Sequence, residues 1–226
     1  EKNFKIKICQ RKTYIHSEGD NNEHKDEIEV YNSDVMYFEV YDIQTEKKIG
    51  GIYVDLYPRE NKRDGAWAEI LNYGDIEKGK PTIIILGTNV NKPIGDKPAL
   101  LSHYNVREIF HEFGHCLHYM FYNGKIKGLS AMNVPTDFSE LPSMFFENFV
   151  WERQALDLFA EHYITKEKMP DELFQKMIAA KNYHSAIKFM TQLYYGRIDL
   201  ALHQEFDKYK DMDPNDVDKA VSKTYR

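Results

Sequence analysis

The sequence predicts an α+β fold: a small antiparallel sheet in the first half, followed by a mainly α-helical second half. Three observations carry that expectation. Before about residue 100, apolar residues come in short β-branched and aromatic runs broken by turn residues. Beyond it, they recur at helical spacing over longer stretches. The change comes without a repeat, a linker or a low-complexity stretch, so it marks a change of secondary structure inside one region spanning 1–226.

The elements follow in order. "FKIKI" (4–8) alternates and reads as a strand, and "SEGDNNEHKDE" (17–27) is a solvated loop. "DVMYFEVYDI" (34–43) and "KKIGGIYVDLY" (48–57) are strands joined through "QTEK" (44–47) as a hairpin. "GAWAEIL" (65–71) is a third strand, and the continuous apolar "PTIIILG" (81–87) another, before the Pro/Gly loop "TNVNKPIGDKP" (88–98). A helix starts near Ser102 or Asn105, runs to about Tyr122 and stops at Gly124. After the loop "NGKIKGLSAMNVP" (123–135), a second long helix is expected over Asp137–Tyr163, capped by Asp137 and carrying Pro142 in its first turns. Further helices fit 170–180, 181–210 and 214–224.

Composition narrows the function. At 226 residues, 42% hydrophobic and 29% charged, the chain has the length and apolar content for a true core. Net charge is -6 with Lys and Arg scattered, which argues against a nucleic-acid partner. No apolar run reaches the length of a membrane span. The first residue is Glu1, and no signal segment precedes the fold, so the chain is expected to be processed or to begin partway through a longer protein. Two cysteines, Cys9 and Cys116, make no disulfide framework and fit a cytoplasmic protein, with Cys116 a small buried residue.

The chemistry concentrates in "HEFGHCLH" (111–118). On a helix, residues four apart share a face one turn apart, so His111 and His115 can offer ring nitrogens to one ion. Glu112 is rotated by about 100 degrees from His111, poorly placed as a ligand but able to reach a water beside the ion. That is the division of labour in HExxH zinc hydrolases, two histidines for metal and a glutamate as general base. The competing reading is a packed helix with buried, hydrogen-bonded histidines. A catalytic zinc also needs a third protein ligand. His118 lies seven residues past His111, hard for the same ion to reach. Phe121 stands where a metzincin places its third histidine. The other known solution takes a glutamate from a following helix, and Glu140 comes after a loop long enough to turn the chain back.

"FHEFGHCLH" followed by "PTDFSELPSMFFENFVWE" (135–152) resembles the thimet oligopeptidase family of zinc metallopeptidases. "YVDLYPRENKRDGAW" (53–67), "NKPIGDKPALLSHYNV" (91–106) and "FMTQLYYGRIDLALH" (189–203) resemble its other segments in the right order, covering most of 30–205. The resemblance implies a zincin-like core in which His111, His115 and Glu140 hold one zinc per chain and Glu112 activates water. It also implies short peptide substrates, whose backbone pairs with an edge strand beside the zinc helix. The matching stretch is Ile83–Asn89, with Ile84, Leu86, Gly87 and Thr88.

Family members also carry a Gly-rich, Tyr- and His-containing segment downstream and a long helical region upstream. This chain ends at Tyr225–Arg226, and "QLYYGR" (192–197) aligns with a different segment. The expectation is a central piece that binds zinc but cleaves little. A dipeptidyl carboxypeptidase and an inactive zinc- and peptide-binding module are the alternatives. Around the site, Glu108 is weighed as an acceptor for a ligand histidine, Asp137 as a cap against a metal role, and Ser143 and Glu147 as partners of the ligands. His103 reads as a helix-start histidine. Phe110, Phe113, Tyr119, Phe121, Phe145, Phe146, Phe149 and Trp151 read as packing between the two helices.

Overall fold

The computed structural model describes residues 5–16, 23–75, 78–122, 124, 126, 129–130 and 133–223. Parts of the loops 17–27 and 123–135, and the pair Tyr225–Arg226, lie outside the described residues. The chain forms two compact units, Glu1–Glu167 and Lys168–Arg226.

Among the described residues, the first unit is built on seven strands: β1 (Ile6–Arg11), β2 (Thr13–Tyr14), β3 (Ile28–Glu29), β4 (Met36–Asp42), β5 (Lys48–Asp55), β6 (Trp67–Asn72) and β7 (Thr82–Gly87). β2 and β3 make a small parallel pair, which the sequence patterns do not announce. The other five form one sheet in the order β1-β4-β5-β7-β6. The hairpin between β4 and β5 forms as expected. Asp42 Oδ1 closes its turn by accepting from the Thr45 amide at 2.6 Å and the Thr45 hydroxyl at 2.8 Å.

The sheet is mostly antiparallel, with one exception. β5 and β7 run parallel, because the chain goes out to the rim as β6 and returns as β7 between β5 and β6. This corrects the expectation that Ile83–Asn89 is an edge strand. β7 is paired on both sides, with Ile84 and Leu86 in the core. A continuous apolar run belongs in the interior of a sheet. The free edge next to the helices is β6, where Glu69, Leu71 and Asn72 are exposed.

One buried carboxylate ties the sheet together. Glu39 on β4 accepts from Arg11 on β1 at 2.8 Å, Lys48 on β5 at 2.6 Å and Tyr41 at 2.7 Å. Burial alone would push its carboxyl up. The bonds from Lys48, Arg11 and Tyr41 outweigh that and hold it at about 2. A depressed carboxylate pKa stabilises the fold above its unfolded value and loses that contribution as pH falls through the folded one. Wild type should therefore exceed Glu39→Gln in urea stability by at most about 3 kcal/mol above pH ~4.5. The gap should close as the pH nears 2. A gap that is constant with pH would show that the ion pairs contribute nothing.

The loop leaving β5 is held by a second buried charge. Asp55 accepts from Arg59 at 2.8 Å through both oxygens, from Lys62 at 2.9 Å and from Tyr31 at 2.8 Å. Lys62 also donates to the Thr88 carbonyl at 2.5 Å, joining the ends of β5 and β7. That ordering fixes where β6 begins.

Against the sheet lies α1 (His103–Phe121), followed by α2 (Thr136–Glu147) and the short α3 (Arg153–Leu156). Ser102 caps α1, and Asn105 completes a capping box with it. The expected start and end of this helix hold.

The second helix is shorter than expected. It ends at Glu147, passes through a 3-10 turn at Asn148–Trp151 and resumes as α3. Its last carbonyls are taken by side chains: Asn148 Nδ2 donates to Met144 O at 3.2 Å and Phe145 O at 3.1 Å. His103 Nε2 lies 3.0 Å from Val150 O. Asp137 is not the cap. Pro135 takes that position without a side-chain bond, and Asp137 sits in the first turn, where a carboxylate suits the helix N-terminus.

Cys116, Leu117, Met120 and Phe146 join Val40, Ile52, Ile84 and Leu86 in one core. Phe110, Phe113, Tyr119 and Phe149 pack against it as expected, whereas Phe121 and Phe145 are exposed.

The second unit holds α4 (Asp171–Lys181), α5 (Ser185–His203), α6 (Phe206–Tyr209) and α7 (Pro214–Ser222). The single helix expected over 181–210 is broken at His184, whose φ of 55° is left-handed, and again after His203. Ala201, Tyr209, Val217 and Val221 form its small core. Among the described residues, no helix is long and apolar enough to cross a membrane.

Candidate metal centre

The two histidines of the motif sit one turn apart on α1, their rings 5.0 Å apart and nearly perpendicular. α2 brings Glu140 to them. Its Oε2 lies 3.2 Å from His111 Nε2 and 3.2 Å from His115 Nε2. One ligand atom from each of the three residues falls within 4.8 Å of the others.

Two ligands about 2.0–2.2 Å from a tetrahedral ion lie roughly 3.3–3.5 Å apart. Both carboxylate-to-imidazole separations match that edge. Two imidazoles and one carboxylate are also the donor set of known catalytic zinc sites, leaving a fourth position open. The residues fit a zinc ion.

Both α2 neighbours singled out by spacing make contact. His111 Nδ1 lies 2.7 Å from Glu147 Oε1. With Nδ1 donating to this carboxylate, Nε2 is the nitrogen left to offer its lone pair to a metal. Ser143 is fully buried and shares its hydroxyl proton between Glu140 Oε2 at 2.8 Å and Glu140 O at 2.9 Å.

Glu112 is buried beside the ligands, on the side of α1 turned toward His115. Burial pushes its carboxyl up to about 7. His111 opposes that rise, and the charges of Glu140 and Glu108 add to it. A carboxyl in that range can exchange a proton near neutral pH. His115 is shifted down by burial, which favours the neutral, ligating form, although Glu140 pulls the other way.

The remaining candidates are placed elsewhere. The Glu108 carboxylate, one turn on from Tyr104, raises the pKa of that tyrosine. Asp137 stays at the start of α2. His118 packs against Tyr119 and Phe138, with ring centroids 6.1 and 6.2 Å away, and is outside the ligand group. Ile84, Leu86, Gly87 and Thr88 belong to the sheet interior and its exit.

Two residues were not anticipated. A Cβ on Gly114 would meet Pro142 O and Ser143 Cα at 2.7 Å, so this glycine sets the closest approach of α1 to α2. Its place inside the motif was the only signal. Arg107 lies one turn before His111 and approaches Glu147, which its i−4 spacing from the histidine could have suggested.

The family model described as Peptidase family M3 matches residues 12–226. The chain is 45% identical over 189 residues to Oligopeptidase A of Escherichia coli (strain K12), a match that takes in 81% of this chain and 27% of that protein. It is 35% identical over 202 residues to organellar oligopeptidase A, chloroplastic/mitochondrial, of Arabidopsis thaliana, covering 85% and 25%. With dipeptidyl carboxypeptidase of Escherichia coli (strain K12) it shares 33% over 190 residues, covering 83% and 28%. The chain thus spans 25–28% of the length of these relatives.

Proposed function

The chain belongs to peptidase family M3, and from that premise we propose that it is the metal-binding region of a zinc-dependent peptidase acting on short peptides. The observation that carries this reading is the approach of Glu140 Oε2 to 3.2 Å from both imidazole nitrogens, with the buried Glu112 carboxyl alongside. One zinc ion would be held by His111, His115 and Glu140. When bound, it supplies Lewis acidity, making a water more acidic and polarising a carbonyl.

The chain's own residues do the rest. Glu147 and Ser143 hold the ligands in orientation. Glu112 takes the proton of the attacking water and returns it to the leaving amine. The unpaired side of β6 offers main-chain N–H and C=O groups to an extended peptide, a sequence-tolerant mode of binding. The relatives named oligopeptidase A support short peptides as substrates. The identity is 45% to one of them and 33% to the dipeptidyl carboxypeptidase, which places this chain nearer the oligopeptidase A relatives. That the two compact units serve one peptidase region, and that the protein works in the cytoplasm, belong to the same proposal. Both cysteines are free.

The test is hydrolysis of internally quenched peptides by the zinc-loaded chain, beside Glu112→Gln with its zinc content measured. Cleavage lowered about 100- to 10,000-fold in the variant, with zinc retained, is the expected outcome. Cleavage that survives the substitution would remove Glu112 as the base. Zinc bound without any cleavage would replace the peptidase reading with that of a zinc-containing peptide-binding module.

A further inference from the structure

We propose that Arg107 is a positioning residue of the metal centre, acting through Glu147 on His111; the inference rests on the zinc reading above. Glu147 reaches from the last turn of α2 and meets two groups on α1. Its Oε1 accepts a hydrogen bond from His111 Nδ1 at 2.7 Å. Its Oε2 faces Arg107 Nε at 3.6 Å, and Arg107 is its only charged partner there among the described residues. Residues 107 and 111 stand one turn apart on α1, so both grip the same carboxylate from one helix face.

The geometry explains why the second grip matters. A carboxylate bonded through one oxygen still turns about its last side-chain torsion, a broad and soft one. Every turn of it weakens the bond that fixes the His111 ring and its tautomer. The guanidinium opposite Oε2 restricts that rotation. The guanidinium also lies over the Tyr104 ring, its central carbon 5.2 Å from the ring centre. A chain of contacts thus runs from Arg107 through Glu147, His111 and Glu140 to Ser143.

The competing explanation is an ordinary half-exposed ion pair, which affects little. The two differ in a measurable way. A surface ion pair would change the stability of the chain and leave the metal alone. A positioning residue would change metal affinity, and only while Glu147 is there to transmit it.

The experiment is a double-mutant cycle on the full chain, read as zinc affinity by competition with a chelator and as the visible spectrum of the cobalt-substituted protein. Urea unfolding of the metal-free chain serves as the structural control. Glu147→Gln should weaken zinc binding about 10- to 100-fold. Arg107→Gln should weaken it about 2- to 5-fold, shift the cobalt bands, and be largely restored by Arg107→Lys. In the Glu147→Gln background, Arg107→Gln should have no further effect. Unchanged affinity in Arg107→Gln, or the same loss with and without Glu147, would overturn the proposal. If the wild-type chain bound no zinc at all, the metal-centre reading would fail first, so the two failures are distinguishable.

Discussion

Replacing Glu140 with alanine is expected to weaken zinc binding by about 100- to 1000-fold. A four-coordinate zinc site is worth roughly 10–16 kcal/mol, so one ligand carries on the order of 3 kcal/mol or more. Glu140 is the donor that makes the site tertiary. His111 and His115 are brought together by helix geometry alone, whereas Glu140 arrives on α2 and touches both at 3.2 Å. Ser143 keeps its bond to the main-chain oxygen of residue 140 in the variant, so α2 should hold its place and the loss should fall on the metal. Chelator competition with the metal-free chain gives the affinities. His118→Ala is the natural companion, because His118 is the other residue near the motif that could complete a site. It packs on Tyr119 and Phe138, so its removal should leave zinc affinity unchanged. The reverse pattern, with His118 essential and Glu140 dispensable, would mean that the ion is held in a different place.

Gly114→Ala is expected to destabilise the first unit and to weaken zinc binding with it. Helix propensity argues for the opposite sign, since alanine in a helix interior is favoured over glycine by about 1 kcal/mol. Packing decides otherwise. The added Cβ would stand 2.7 Å from Pro142 O and Ser143 Cα and 3.0 Å from Pro142 C. These are main-chain atoms and cannot swing aside. Ordinary contact is about 3.5 Å or more, so α2 would have to retreat by nearly an ångström. Glu140, Ser143 and Glu147 all ride on α2 and would retreat with it. The expected result is a loss of about 1–3 kcal/mol in urea unfolding despite the better propensity. Zinc affinity should fall about 10-fold or more, comparable to losing a residue that orients a ligand. A more stable Gly114→Ala chain with unchanged zinc affinity would show that α1 and α2 are not in close contact at this point.

What was legible in the sequence divides along the range of the interactions. The start of α1 could be read because Ser102 and Asn105 lie three residues apart and bond each other. The histidine pair could be read because a helix puts i and i+4 on one face. Ser143 and Glu147 could be placed on the face of Glu140 by their spacing, but not assigned partners. The Ser143–Glu140 bond stays within α2, whereas the Glu147–His111 bond depends on how α2 lies against α1, where Gly114 allows the close approach. Glu108 lies beside Tyr104, four residues earlier on α1, and raises the pKa of that tyrosine.

The errors have the same origin. The run in β7 reads as a continuous apolar strand, while the family resemblance sets it at an edge. Strand order is a property of the whole sheet, and it leaves β6 on the rim beside α1. Asp137 has the chemistry of a cap, yet the chain turns into α2 one step earlier, at Pro135. The long second helix failed at Asn148 because its side chain satisfies the carbonyls of Met144 and Phe145.

By itself, then, the sequence determined the mixed α+β class, the HExxH helix with its cap, and the residue types available for zinc, since each of these rests on patterns only a few residues long. The tertiary structure alone decided which strand is free and which α2 side chains hold the ligands. The bond from His111 to Glu147 joins residues 36 positions apart, and only the packing of α2 on α1 brings them together, as only the order of the whole sheet leaves β6 at its rim.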